Sequence, residues 1–146
     1  MQIAEVPEPE LRLADLLVRV RAAGLNRADL TQRRGGHGRP DFGGSTLLGL
    51  EIAGEVIAVG PAVSVFAVGD RVMRVVRGDG YAEVARIDYR MAMQVPESLD
   101  IVHAGAVPEV FVIARRASAR PISTKAEVTS GPPTRMRVGV FILFHS

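Results

Sequence analysis

Asn26 is the residue whose type and setting first invite a chemical question. It sits in A-A-G-L-N-R-A-D-L (22–30), where a strand-like run stops at Gly24 and Arg27 and Asp29 follow among small apolar residues. An amide donates and accepts without changing charge. Asn26 therefore reads in two ways, as the N-cap of a short helix whose first-turn N–H its oxygen takes, or as a polar contact to a ligand. Glu51, inside L-G-L-E-I-A-G (48–54), reads as a structural carboxylate that pairs with a neighbouring Arg or stabilises a turn.

Other chemistries lack their residues. There is no cysteine, hence no thiol nucleophile, no disulfide and no Cys-based zinc site. His103 and His145 have no partner at metal-ligand spacing, no Ser-His-Asp arrangement stands out, and the acids show no paired spacing. The stretch G-G-H-G-R-P-D-F-G-G (35–44) is not a dinucleotide fingerprint, because G-x-G-x-x-G would need glycine where Asp41 stands. It reads as an irregular loop.

The elements that must position these residues follow from periodicity. Leu16, Val18, Val20 and Ala22 alternate with Arg19 and Arg21, the pattern of a half-buried strand. A helix then runs through Ala28, Leu30 and Thr31. Glu51 to Val59 and Arg71 to Val76 read as strands joined through turns at Gly60-Pro61 and Val68-Gly69-Asp70, with Val65-Phe66 between them. Gly78-Asp79-Gly80 reverses the chain into a strand over Tyr81 to Ile87. Ser98 to Val107 reads as a helical segment, with Ser98 as cap and Pro108 as stop. Short strands with few helices predict a compact, mostly β, barrel-like domain.

A length of 146 residues, 47% of them hydrophobic and 23% charged, suits one soluble globular domain. No apolar run reaches the roughly 20 residues of a membrane span, and the acidic start M-Q-I-A-E-V-P-E-P-E lacks the features of a secretory signal, so a cytoplasmic location is expected. Residues 1–109 carry a net charge of −3 and residues 110–146 one of +5. The basic tail lacks interleaved aromatics or a recognition helix, so nucleic-acid binding ranks last among the readings. Its one apolar run is Val138 to Phe144, a last strand or an exposed sticky segment.

With A-A-G-L-N-R-A-D-L come L-G-L-E-I-A-G-E-V (48–56), V-G-D-R-V (68–72), G-Y-A-E (80–83), V-P-E-S-L (95–99) and A-V-P-E-V-F (106–111). In this order and spacing they resemble the zinc-independent quinone oxidoreductases of the medium-chain dehydrogenase/reductase superfamily, particularly the p53-inducible type of NADPH:quinone reductase. The resemblance covers roughly residues 3–111. It implies a GroES-like domain, mainly β with short helices and a partly open β-barrel, with the NADPH-binding Rossmann domain absent from this chain. Residues 1–111 are expected to form that domain, and 112–146 an unmatched basic tail, frameshifted or alternatively spliced.

The resemblance also assigns residues. In zinc-using relatives the positions matching Asn26 and Leu50 hold a catalytic Cys and a His, so zinc catalysis is not expected here. Asn26 would lie beside nicotinamide and substrate. His37 stands where relatives carry a substrate-touching Tyr, and Tyr81 matches a frequent Tyr after the glycine turn. The implied cofactor is NADPH and the implied substrate a quinone, with binding of NADPH by this chain in doubt because Ile113 replaces a cofactor-holding Thr and nothing beyond matches. The alternative is a non-enzymatic GroES-like fragment, a remnant or a partner of a full-length homologue. Self-association through an exposed domain interface is expected in either case.

Overall fold

The computed structural model describes residues 3–34 and 47–119. Its strands are β1 (Asp15–Ala23), β2 (Glu51–Val59), β3 (Arg71–Val75), β4 (Val84–Asp88) and β5 (Met93–Gln94). Helix α1 (Arg27–Arg33) lies between β1 and β2, and α2 (Ile101–Ala104) and α3 (Pro108–Ala119) follow the strands. The strands make one sheet in the order β4-β1-β2-β3-β5, every pair antiparallel. The sheet is open, since its edges β4 and β5 do not pair with each other.

Alternation in β1 holds as the sequence predicts: Leu16, Val18 and Ala22 are buried and Val20 packs partly against the core, while Arg19 and Arg21 are exposed. Two register shifts, at Leu17/Val18 and Val20/Ala22, bend the strand against β2. One face of the sheet carries the main core of Leu16, Val18, Ile52, Val56, Val72 and Ile87. Full burial of side chains of this size contributes about 1.5–3 kcal/mol each. On the other face Ala53 and Met73 meet Val95 and Ala104, with Leu99 and Ile101 packed alongside. That is the face the helices cover.

Three expectations are corrected. The strand predicted from Tyr81 begins only at Val84, and Tyr81 lies in the turn before it. The reversal there uses Gly78 (φ 142°) and Asp79 (φ 64°), aspartate being one of the few residues that enter the left-handed region readily. The helix predicted over Ser98 to Val107 shrinks to α2, capped by Asp100, whose carboxylate accepts from the N–H groups of both Val102 and His103. Pro108 opens α3 instead of stopping α2, because a proline at a first helical position gives up only an N–H that has no helical partner. Val65 and Phe66 lie in the loop between β2 and β3, Phe66 resting partly on the core. Helix α3 runs through residues 111 and 112, where the composition shifts. The run Val138 to Phe144 lies outside the described residues, and among those described no helix is long and apolar enough to cross a membrane.

Candidate functional site

Strand β1 ends at Ala23 and α1 begins at Arg27, so the link Gly24-Leu25-Asn26 sits where the sheet hands over to the helix. Asn26 is the N-cap, with extended backbone (φ −117°, ψ 156°). The capping differs from the expected one. Asn26 and Asp29 stand as a capping box, but the Asn26 side chain makes no cap hydrogen bond of full geometry. The tight half belongs to Asp29, whose Oδ2 accepts from the Asn26 N–H at 2.6 Å.

The Asn26 side chain turns instead to the sheet, and Nδ2 donates to Glu51 Oε1 at 2.7 Å. Glu51 is 2% exposed, at the start of β2. Its second oxygen accepts from the Glu109 N–H at 3.0 Å, in the first turn of α3. The partner expected from sequence, an Arg, is not the one found: Arg21 pairs with Glu55 at 2.9 Å at the surface. Glu51 points inward, where the opening turn of α3 supplies an N–H and a favourable dipole end for its charge. Gly24 makes the room, since a Cβ there would stand 2.1 Å from Glu51 Oε1.

A carboxylate receiving two N–H groups acts only as an acceptor, which fixes the Asn26 amide with its nitrogen toward Glu51. The amide nitrogen has two hydrogens, and Glu51 takes one. The other has no acceptor among the described residues, and Asn26 is half-buried.

Tyr81 joins this neighbourhood through Asp29. Its turn is pinned to the segment before β2, Tyr81 N–H donating to Leu48 O at 3.0 Å and Gly80 N–H to Gly49 O at 3.2 Å. The backbones approach so closely that a Cβ on Gly49 (φ 101°) would lie 2.5 Å from Tyr81 N. Burial first, and then the Asp29 carboxylate, push the Tyr81 phenol well above its ordinary range, with Glu51 adding to the effect. The phenol oxygen and Asp29 Oδ1 are both buried, and neither has a hydrogen bond of full geometry. Asp29 nonetheless lies close enough to act on the phenol. Tyr81 is held neutral, able to donate a hydrogen bond.

Buried Gln32 on α1 locks the same wall: its Nε2 donates to Leu47 O at 3.3 Å and its Oε1 accepts from the Gly49 N–H at 3.2 Å. The structure thus brings Asn26 and Tyr81 together through Asp29 and Glu51, while His37 lies outside the described residues. Sequence reasoning missed Asp29 and Gln32. The N-x-x-D spacing 26–29 could have exposed the first as a capping-box carboxylate; Gln32 gave no signal beyond its place on the helix.

Leu50 is buried and apolar, Asn26 is committed to Glu51, and among the described residues no three of His, Cys, Asp and Glu gather as a metal group. Among the described residues His103, in the last turn of α2, pairs with Asp100. To a nicotinamide or a flat carbonyl substrate the wall offers a neutral amide donor and a neutral phenol.

Residues 13–118 match the alcohol dehydrogenase GroES-like domain. The chain is 36% identical over 110 residues to erythronolide synthase EryA2 of Saccharopolyspora erythraea, covering 75% of this chain and 3% of the synthase. Its fold matches that of human synaptic vesicle membrane protein VAT-1 homolog-like protein with a TM-score of 0.68 at 35% identity, over 75% of this chain and 35% of that one. The quinone oxidoreductase of Coxiella burnetii matches with a TM-score of 0.70 at 28% identity, over 80% of this chain and 39% of the other. The chain thus spans little more than a third of these solved relatives.

Proposed function

Because the chain belongs to the alcohol dehydrogenase GroES-like domain family of the medium-chain dehydrogenase/reductase superfamily, we propose that it forms the substrate-facing wall of a zinc-independent, NADPH-dependent quinone reductase of the p53-inducible type. The observation that carries this reading is the amide of Asn26, fixed by Glu51 with one N–H left to donate. NADPH, when bound, supplies a hydride to the quinone ring. The chain's own task is electrostatic and positional. As a quinone carbonyl gains electron density, the free Asn26 N–H gives it a preorganised donor, and the neutral phenol of Tyr81 borders the same space. Asp29 and Gln32 hold these groups without entering the chemistry.

Leu50 and Asn26 at the positions of metal ligands support the zinc-free part of the proposal, and quinone oxidoreductases among the structural relatives support the substrate class. The test is quinone-dependent NADPH oxidation by the purified chain, with and without a chelator. Turnover that survives chelation and falls at least tenfold in Asn26→Ala is expected. Absence of both turnover and any NADPH- or quinone-dependent thermal shift contradicts the proposal and leaves a non-enzymatic fragment.

A further inference from the structure

The groups gathered around Asn26 are polar: its own amide, the Tyr81 phenol and the carboxylates of Asp29 and Glu51. A site for a flat organic ring is ordinarily apolar, with a few polar groups that fix orientation. The apolar part has to come from side chains that the fold leaves uncovered at the same end of the sheet.

The strand register sorts those side chains. Leu16, near the start of β1, pairs with Val59, the last residue of β2. Exposed Leu13 precedes β1 and exposed Val65 follows β2, so both belong to the end of β2 away from Glu51, along a strand about 25 Å long. At the Glu51 end stand Leu30 on α1 and Val110 and Phe111 on α3, each more than half exposed.

Hydrogen bonds make the placement of the α3 pair specific. Glu51 takes the Asn26 amide on one oxygen and the Glu109 N–H on the other, so only the width of that carboxylate separates the amide from the first turn of α3. Val110 and Phe111 follow Glu109 directly in that turn. Helical side chains lean back toward the N-terminus of their helix, which here is the end that meets Glu51. Fully buried Pro108 anchors the turn, and the Phe111 N–H donates to Val107 O at 2.9 Å. An aromatic and a branched side chain are thus held in the open beside a fixed amide.

We infer that Val110 and Phe111 form an apolar shelf that carries the face of the flat ring whose carbonyl meets Asn26. This rests on the quinone reading above and adds the contact residues that select for planarity. The Phe111 ring stacks offset on a planar quinone, and Val110 packs at the quinone's edge. A saturated cyclic ketone offers Asn26 the same carbonyl but turns a puckered face to Phe111, and binds more weakly.

The full chain, labelled with ¹³C and ¹⁵N, is titrated with tetramethylbenzoquinone and, for comparison, with cyclohexanone. Nuclear Overhauser contacts from the quinone methyls to the Phe111 ring and the Val110 methyls are expected. Quinone affinity should fall about tenfold in Phe111→Ala and about threefold in Val110→Ala, with Phe111→Leu between Phe111→Ala and the unsubstituted chain. Val65→Ala, at the far end of β2, should change nothing. The substituted side chains are exposed, so the variants keep the fold, and their ¹H–¹⁵N spectra check it. Quinone shifts at the Asn26 amide with no contact to Phe111 or Val110, and undiminished affinity in Phe111→Ala, overturn the shelf and leave the quinone reading standing. No response at any of the three residues overturns both.

Discussion

At the scale of single residues, the account rests on a buried carboxylate that orients an amide. Glu51 accepts from Asn26 on one oxygen and from the α3 backbone on the other, and such charge-assisted bonds in a dry setting contribute more than surface pairs. Asn26→Ala removes one donor and should cost roughly 1–3 kcal/mol, read as a lowered urea midpoint. Glu51→Gln keeps size, but its NH₂ replaces one of the two accepting oxygens and opposes either the Asn26 amide or the Glu109 N–H, and a similar loss is expected. Asn26 was legible as a cap and, through the resemblance, as a candidate site residue. Its true partner was not, because 25 residues separate it from Glu51 and only the β1–β2 pairing brings them together. The inward turn of Glu51 was hidden for the same reason: nothing local says that Arg21 meets Glu55 instead.

At the scale of elements, close approaches set the wall. Gly24→Ala drives a Cβ into Glu51 Oε1 and should destabilise by about 1–3 kcal/mol while displacing the Asn26 side-chain resonances, a pairing of effects that a remote substitution would not give. The turn after β4 makes a separate prediction about pH. The Arg90 side chain, and then its backbone N–H, hold the Asp88 carboxyl down to about 2 from an ordinary 3.8. A carboxyl with a folded pKa below its unfolded one adds stability above about pH 4, and that contribution fades as pH falls toward 2. Asp88→Asn should flatten the acid limb of a stability–pH curve over this window. Regular elements such as β1 and β2 announced themselves by period; the region from Ser98 to Pro108 did not, since serine, aspartate and proline each carry both a start and a stop meaning. Asp100 prevailed because its carboxylate reaches two free N–H groups at once.

For the whole molecule, one open antiparallel sheet divides labour between its faces, the main hydrophobic core on one side and the helices with the Asn26 wall on the other. Ile52 lies at the centre of the first, and Ile52→Ala should lower stability by roughly 2–5 kcal/mol in denaturant unfolding. The mostly β character was readable from strand spacing, whereas strand order was not, because pairing partners come from anywhere in the chain. The central claim is that Asn26 presents a Glu51-anchored amide to a quinone, and the Asn26 side-chain NH₂ signals in a ¹H–¹⁵N spectrum test it most directly. In the full chain titrated with a fully substituted quinone, which does not arylate lysines, two widely separated NH₂ signals are predicted, one held by Glu51 and the other moving with quinone, both collapsing toward free-amide positions in Glu51→Gln. An Asn26 NH₂ pair that ignores both the quinone and the loss of the Glu51 carboxylate would contradict the account.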